Sequence, residues 1–168
     1  MILIAFGGNL DSPEHGAPRD TLAAALAVLA ARGVRVVAQS RWYRTAPVPA
    51  DDQPWYVNLV AQVETDLPPV ALLAVLQAIE RDFGRVRGAR NAARILDLDL
   101  IDYDGRTVRT PDLVLPHPRL SERAFVLMPL RDVAPDWRHP QSDLSVSALI
   151  AALPPGQAIE VDDVRAQD

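Results

Sequence analysis

The sequence predicts an α+β protein in which helices cover an antiparallel sheet, in the ferredoxin-like, split βαβ order. Three observations predict this class. Strand-like and helix-like periodicities follow one another as strand, helix, strand, strand, helix, strand. Residues 55–65 alternate apolar and polar side chains, as a strand with one buried face does. The chain of 168 residues, 49% of them hydrophobic, can bury the core of a single domain over residues 1–168.

Each predicted element depends on a local pattern. In chain order these are a strand over 2–6, a helix over 18–32, strands over 34–44 and 55–65, a helix from Pro68-Pro69 to Gly84, a strand over 95–103, and helices over 125–133 and 143–152. Leucines at helical spacing mark the two long helices, each of which begins near a proline and ends at a glycine. Glycine and proline elsewhere predict loops over 46–54, 84–94 and 110–120, and Asp104-Gly105 predicts a tight turn.

The composition excludes several kinds of site. All 17 basic residues are arginine, which excludes Schiff-base chemistry and a phosphate loop with a Gly-Lys-Ser/Thr motif. The absence of cysteine excludes disulfides and thiolate metal sites. A net charge of −5 argues against nucleic-acid binding. No apolar run approaches the roughly 20 residues that cross a bilayer, and no signal-peptide pattern is present. We therefore expect a cytoplasmic protein with neither nucleic-acid nor membrane partners.

Two aspartates on the predicted strand over 95–103 form the strongest candidate site. Because strand side chains alternate, Asp97 and Asp99 share one face, with Cα atoms about 6.5 Å apart, while Leu96, Leu98 and Leu100 occupy the other. Like charges side by side on an apolar strand destabilise it unless a cation lies between them. Carboxylate oxygens suit a pair of Mg²⁺ ions. The alternative is an edge strand with two solvated aspartates.

An arginine-rich loop precedes this strand. Over residues 84–94 it carries Arg85, Arg87, Arg90 and Arg94 with Gly84 and Gly88, and Arg81 precedes it at the end of the predicted helix. Planar guanidinium groups bind phosphate oxygens two at a time, and the glycines would let the loop close over a ligand. Taken alone, the cluster is more typical of a solvated loop. Next to paired aspartates it indicates a site for an anionic nucleotide.

Side chains suited to a planar heterocycle occur on the predicted strand over 55–65 and further along the chain. Tyr56 and Asn58 lie on the polar face of that strand, and Phe125 lies in an apolar run. A heterocycle with an amide edge needs a ring to stack on and an amide that both donates and accepts hydrogen bonds. The alternative for Phe125 is a place in the core.

Further polar candidates surround the same segments. His117 stands between two prolines, with Arg119 and Arg123 after it, and could donate to a phosphate oxygen or shuttle a proton. Gln77 and Glu80 are three residues apart and share one face of their helix. They would contact a nucleotide base or ribose, or else be solvated.

These motifs together resemble the bacterial 6-hydroxymethyl-7,8-dihydropterin pyrophosphokinase family over residues 2 to about 135. The matching segments are Gly7-Gly8-Asn9-Leu10, WYRTAP at 42–47, DQPWYVN at 52–58, LLAVLQAIE at 72–80, GRVR at 84–87, RILDLDL at 94–100 and LPHPRLSERAFVLMPL at 115–130. Seven segments in the same order and at matching separations make the resemblance specific.

The resemblance implies transfer of the β,γ-pyrophosphoryl group of ATP to the hydroxymethyl oxygen of the pterin, with release of AMP. It implies that Asp97 and Asp99 hold two Mg²⁺ ions and that Arg85 and Arg94 contact the phosphates. For the nucleotide, it implies contacts from Gln77, Glu80, Arg87, Leu100, His117 and Arg123. For the pterin, it implies a pocket of Thr45, Pro47, Tyr56, Asn58 and Phe125.

The sequence departs from the family pattern at three positions near the implied ligands. Asn91 replaces a frequent tryptophan in an arginine loop one residue short, Asp112 replaces an arginine, and Pro118 replaces a tyrosine. We expect weaker ATP binding or altered release rates rather than lost chemistry. The same carboxylates would also suit a Mg²⁺-dependent hydrolase or nuclease, and a catalytically silent relative could use the scaffold for binding. We expect a monomer.

Overall fold

The computed structural model describes residues 1–85, 88 and 92–163. Its strands are β1 (Ile2–Gly8), β2 (Arg35–Gln39), β3 (Tyr43–Thr45), β4 (Tyr56–Glu64), β5 (Asp97–Tyr103), β6 (Val108–Arg109), β7 (Val114–Leu115) and β8 (Ile159–Val161). Its α-helices are α1 (Pro18–Ala31), α2 (Pro69–Asp82), α3 (Ala124–Val133) and α4 (Val146–Ala151), and a short 3-10 helix spans Leu120–Glu122.

The main sheet confirms the predicted class. Its strands are ordered β5-β1-β4-β3-β8, and β2 pairs with β4 as well. Every neighbouring pair is antiparallel. Consequently β1 and β2 run in the same direction with β4 between them, which is the split βαβ arrangement. In the described part of the chain, no helix is long and apolar enough to span a membrane.

Two apolar clusters lie on opposite faces of the sheet. The larger one joins α1 and α2 to the sheet through fully buried side chains such as Leu22, Leu29, Leu72 and Leu76. The smaller one joins α3 and α4 to the other face. Between Leu100 and Asp102 the register of β5 against β1 shifts, so that Tyr103 joins Leu98 and Leu100 in the larger cluster.

Several elements differ from the sequence expectations. The first strand continues through both Gly7 and Gly8, two residues beyond its predicted end. The strand expected over 34–44 is two strands, because the Ser40 hydroxyl accepts a hydrogen bond from Val60 N (3.0 Å) and interrupts the ladder. A small hairpin, β6–β7, and the edge strand β8 have no counterpart in the predicted elements.

Candidate active site

A cavity of about 430 Å³ opens on the sheet face that carries α3 and α4. Of the residues predicted to bind ligands, it is lined by Thr45, Pro47, Tyr56, Asn58, Arg94, Asp97, Asp99, Arg123 and Phe125. The lining comes from β1, the start of β4, β5, the loop after β3, the start of α3 and a segment near the carboxyl end. All five residues of the predicted pterin pocket therefore border a single space.

A second cavity, of about 250 Å³, lies beside the first. Leu98, Leu100 and Leu73 give it an apolar floor, and His117 lies on its rim. Asp99 lines both cavities. A group held in one space and a group held in the other would therefore meet at this carboxylate.

Asp97 lies between two arginines. Its Oδ1 is 3.1 Å from Arg85 Nη1, and its Oδ2 is 3.0 Å from Arg94 Nη1. Both arginines come from the predicted phosphate loop, so the structure brings the loop and the paired aspartates together as expected. The two guanidinium groups neutralise the charge of Asp97.

Asp99 has different surroundings. Within residues 1–85, 88 and 92–163 it makes no hydrogen bond or salt bridge. Burial and the neighbouring charge of Asp97 raise the pKa of Asp99 to about 7, and Arg123 and Arg85 only partly oppose this. A cation bound at such a carboxyl group would stabilise its ionised form, because the cation offsets the free-energy cost of burying the charge.

His117 is held in one tautomer. Its Nδ1 accepts a hydrogen bond from the backbone N–H of Arg119 (3.2 Å), which assigns the ring proton to Nε2. Burial and the charge of Arg123 lower the pKa of His117 to about 4, so the ring is neutral at pH 7. It can therefore donate one hydrogen bond from Nε2 to a ligand beside it.

Glu80 and Gln77 do not line either cavity, and their implied roles beside the nucleotide stay predictions. Glu80 is 4% exposed; its Oε1 accepts a hydrogen bond from Leu98 N (2.8 Å), and its Oε2 pairs with Arg85. It links α2 to β5 and orients an arginine of the site. Gln77 is exposed on α2.

Asn58 and Thr45 form a buried polar pair on the floor of the larger cavity. Asn58 Nδ2 donates to Thr45 Oγ1 at 2.6 Å. A side chain at Gly7 would place its Cβ only 2.9 Å from Asn58 Oδ1, so glycine leaves room for the amide. Tyr56 donates from its hydroxyl toward Gln53 Oε1 and the Ala92 carbonyl, both at 3.3 Å. These bonds fix the polar groups that a ligand would meet.

Asn9 is a functional residue that the sequence reasoning assigned no role. Its Oδ1 accepts from Arg94 N (2.9 Å), its backbone N–H donates to the Arg94 carbonyl (2.9 Å), and its Nδ2 donates to the Pro54 carbonyl (3.0 Å). A Cβ on Gly8 would overlap the carbonyl oxygen of Ile95. The Gly7-Gly8-Asn9 sequence thus positions the backbone of Arg94. In the sequence, the two glycines at the end of a buried strand were the pattern that could have pointed to this role of Asn9.

Four further positions singled out in the sequence differ in whether the structure describes them. Arg87 and Asn91 lie outside the described residues. Asp112 and Pro118, two of the departures from the family pattern, line the smaller cavity.

The donor set fits Mg²⁺ bound together with a substrate. Among the residues that the structure describes, no three His, Asp or Glu side chains are grouped to hold a metal. Asp97 and Asp99 supply two carboxylates on one cavity wall. Mg²⁺ in nucleotide sites commonly takes one or two carboxylates, completing its shell with water and phosphate oxygens. These two aspartates are therefore the residues that would hold it.

Comparison with known proteins gives a consistent result. Residues 3–135 match the family model of 7,8-dihydro-6-hydroxymethylpterin-pyrophosphokinase (HPPK). A 2-amino-4-hydroxy-6-hydroxymethyldihydropteridine pyrophosphokinase of Methylorubrum extorquens is 47% identical over 116 residues, 68% of this chain and 73% of that protein. The enzyme of that name from Pseudomonas aeruginosa is 42% identical over 154 residues, 91% of each chain.

Longer proteins contain a similar unit. The folic acid synthesis protein fol1 of Pneumocystis carinii is 38% identical over 124 residues, which are 74% of this chain but 17% of that protein. Among solved structures, wild-type Plasmodium falciparum HPPK-DHPS with pteroate superposes with a TM-score of 0.69 at 13% identity. That match covers 90% of this chain and 42% of the other, and it shows a shared fold.

Proposed function

The chain belongs to the 7,8-dihydro-6-hydroxymethylpterin-pyrophosphokinase family, transferases of folate synthesis, and we propose that it transfers pyrophosphate from ATP to 6-hydroxymethyl-7,8-dihydropterin with release of AMP. One observation carries the proposal: Asp99 borders both cavities, with Asp97 and its two arginines beside it. A site that joins two substrates across a carboxylate pair suits phosphoryl-type transfer.

The larger cavity would hold the pterin. Asn58 carries both a donor and an acceptor on its amide and is held by Thr45, so it can pair with the amide edge of the heterocycle. Phe125 lines the same space and offers a ring for stacking. The Arg123 guanidinium lies 5.3 Å from the centre of that ring, so a cation would lie close to a pterin bound in this space.

The smaller cavity would hold part of the nucleotide. Its apolar floor of Leu73, Leu98 and Leu100 suits a base or ribose, and the Nε2 proton of His117 suits a phosphate oxygen. Arg85 and Arg94 would exchange their contacts with Asp97 for contacts with the phosphates when ATP and Mg²⁺ bind.

Catalysis would consist mainly of positioning and charge neutralisation. The hydroxymethyl oxygen forms a bond to the β-phosphorus, the bond from that phosphorus to the α,β-bridging oxygen breaks, and AMP leaves. The hydroxyl proton passes to solvent. Asp97 would orient the attacking hydroxyl, and Arg85 and Arg94 would neutralise charge on the transferred group. Two Mg²⁺ ions on Asp97 and Asp99 would supply charge stabilisation for the phosphates.

AMP formation tests the proposal directly. The purified protein is incubated with ATP and Mg²⁺, with and without 6-hydroxymethyl-7,8-dihydropterin, and AMP is quantified. We expect AMP only when the pterin is present. Nucleotide turnover without the pterin would support the hydrolase alternative instead. Binding of both ligands without AMP would identify a catalytically silent relative and overturn the proposal.

The cytoplasmic location and the monomeric state stay predictions from the sequence. The ATP donor, the release of AMP and the two Mg²⁺ ions belong to the proposal above.

A further inference from the structure

A segment near the carboxyl end forms part of the larger cavity. Residues 154–162, here called the C-terminal strap, contribute Pro154, Pro155, Gly156 and Gln157 to the lining. The family-model match ends at residue 135, so this part of the wall lies outside it. The strap is therefore a part of the cavity wall that the family model does not cover.

Gln157 connects the strap to the start of α3. Its Oε1 accepts a hydrogen bond from Ala124 N (2.9 Å), and its Nε2 donates to the Glu122 carbonyl (2.8 Å). The residue before α3, Arg123, makes no side-chain capping bond, so Gln157 satisfies an N–H that the first turn of a helix leaves without a partner. It does so from 33 residues further along the chain.

Strand β8 connects the other end of the strap to β3. Thr45 pairs with Ile159, and Ala46 N donates to the Ala158 carbonyl at 3.1 Å. Asp162 accepts from Arg19 at 3.2 Å and extends the attachment to α1. Thr45 is the partner of Asn58, the proposed amide reader. The strap thus joins the wall that carries Thr45 to the wall that carries Phe125.

We propose that the C-terminal strap fixes the width of the pterin pocket and that Gln157 is its positioning residue. The inference rests on the proposed function above. Phe125 directly follows Ala124, whose N–H Gln157 holds, so loss of this bond frees the stacking ring relative to Asn58. The smaller cavity has no strap residue in its lining, so nucleotide binding should be unaffected.

Ligand binding to full-length variants tests the proposal. We expect Gln157→Ala to raise the Kd for 6-hydroxymethyl-7,8-dihydropterin about tenfold, the effect of one or two lost hydrogen bonds. Gln157→Met keeps the length of the side chain without its amide, so the same increase is expected. The Kd for a nonhydrolysable ATP analogue with Mg²⁺ should stay within twofold. Both constants are measured by titration calorimetry.

A matched control comes from the same strap. Glu160 pairs with Arg44 at the surface, is 56% exposed at its side chain and does not line the cavity, so Glu160→Gln should leave both constants unchanged. Pterin affinity within twofold of wild type in both Gln157 variants would overturn the inference. So would equal weakening of both ligands with a lowered melting temperature, which indicates a merely structural role. Failure of the wild-type protein to bind the pterin would instead overturn the proposed function.

Discussion

Strand β5 contributes to both faces of the sheet, and its alternate residues have different roles on the two faces. Leu98 and Leu100 point into the cluster that α1 and α2 cover, and both side chains are buried. Asp97 and Asp99 point to the other face, where the cover of α3 and α4 stops and the larger cavity begins. The two-residue period of a strand thus separates stabilising side chains from chemical ones within a single segment.

Two aspartates of β5 on the α3 and α4 face also have different surroundings. On the α3 and α4 side, the buried carboxylate of Asp102 is satisfied by neutral donors, Trp137 Nε1 at 2.9 Å and Gly105 N at 3.1 Å. Asp99, three residues earlier, has the raised pKa described above. The difference shows two uses of an aspartate on one strand. Asp102 has hydrogen-bond donors within the fold and stabilises it, whereas Asp99, at the edge of the helical cover, is available to a ligand.

Removal of a carboxylate from the open face should have the largest effect on activity. Asp97→Ala should lower kcat/KM on the order of 10³-fold, the scale of lost metal-ion catalysis. The melting temperature should change little, because Asp97 contributes no apolar burial. Steady-state AMP production and thermal unfolding, measured side by side, check both parts. Turnover equal to wild type would contradict the assignment of Asp97 as a metal ligand.

Damage to the covered face should have the reverse outcome. Leu76 is fully buried on α2, and Leu76→Ala should lower the free energy of unfolding by about 2–5 kcal/mol. Activity per folded molecule should stay near wild type, since Leu76 lines neither cavity. Urea denaturation measures the loss. Val70→Ala is the control, because Val70 is 61% exposed on the same helix, and an equal loss there would contradict the comparison.

Arg94→Ala should separate catalysis from binding on the open face. Turnover should fall about 10²-fold, as for loss of one charge-stabilising donor, while the Kd for the pterin changes much less. Stopped-flow turnover and calorimetric binding give the two values. Arg109→Ala, an exposed arginine on β6, serves as the control. Equal losses in turnover and pterin affinity would count against a phosphate role for Arg94.

The smallest effect is expected where α3 is tied to β3. Asp132 accepts hydrogen bonds from Tyr43 Oη (2.7 Å) and from Arg41. Burial raises the pKa of Asp132, but these bonds outweigh it and leave the pKa below its ordinary value of 3.8. Asp132→Asn should lower the melting temperature at pH 7 by about 3 °C.

The pH dependence of this variant follows from the sign of the shift. Because the folded protein holds the proton less tightly than the unfolded chain does, the ionised form stabilises the fold above pH 3.8. That stabilisation is lost as the pH falls further, so the difference between variant and wild type should shrink there. Thermal unfolding scans between pH 7 and pH 3 measure it. A constant difference across the range would show that the charge contributes nothing.

The order of strands and helices was predictable because each element follows from the local periodicity of apolar residues. The alternation in residues 55–65 and the leucine stripes of α1 and α2 depend only on neighbours within one or two turns. The break at Ser40 was not predictable, because it depends on a hydrogen bond to Val60, twenty residues away. Strand β8 was missed for the same reason, since its partner β3 lies more than 100 residues earlier.

By itself, the sequence determined that Asp97 and Asp99 share a face and that arginines precede them, because covalent spacing fixes both. The tertiary structure alone decided which groups these side chains meet. Only folding places Arg85 on Glu80 and Asp97, Asn9 on Arg94 and Gln157 on the start of α3. Such contacts join residues brought together by burial of the two apolar clusters, and no local pattern encodes them.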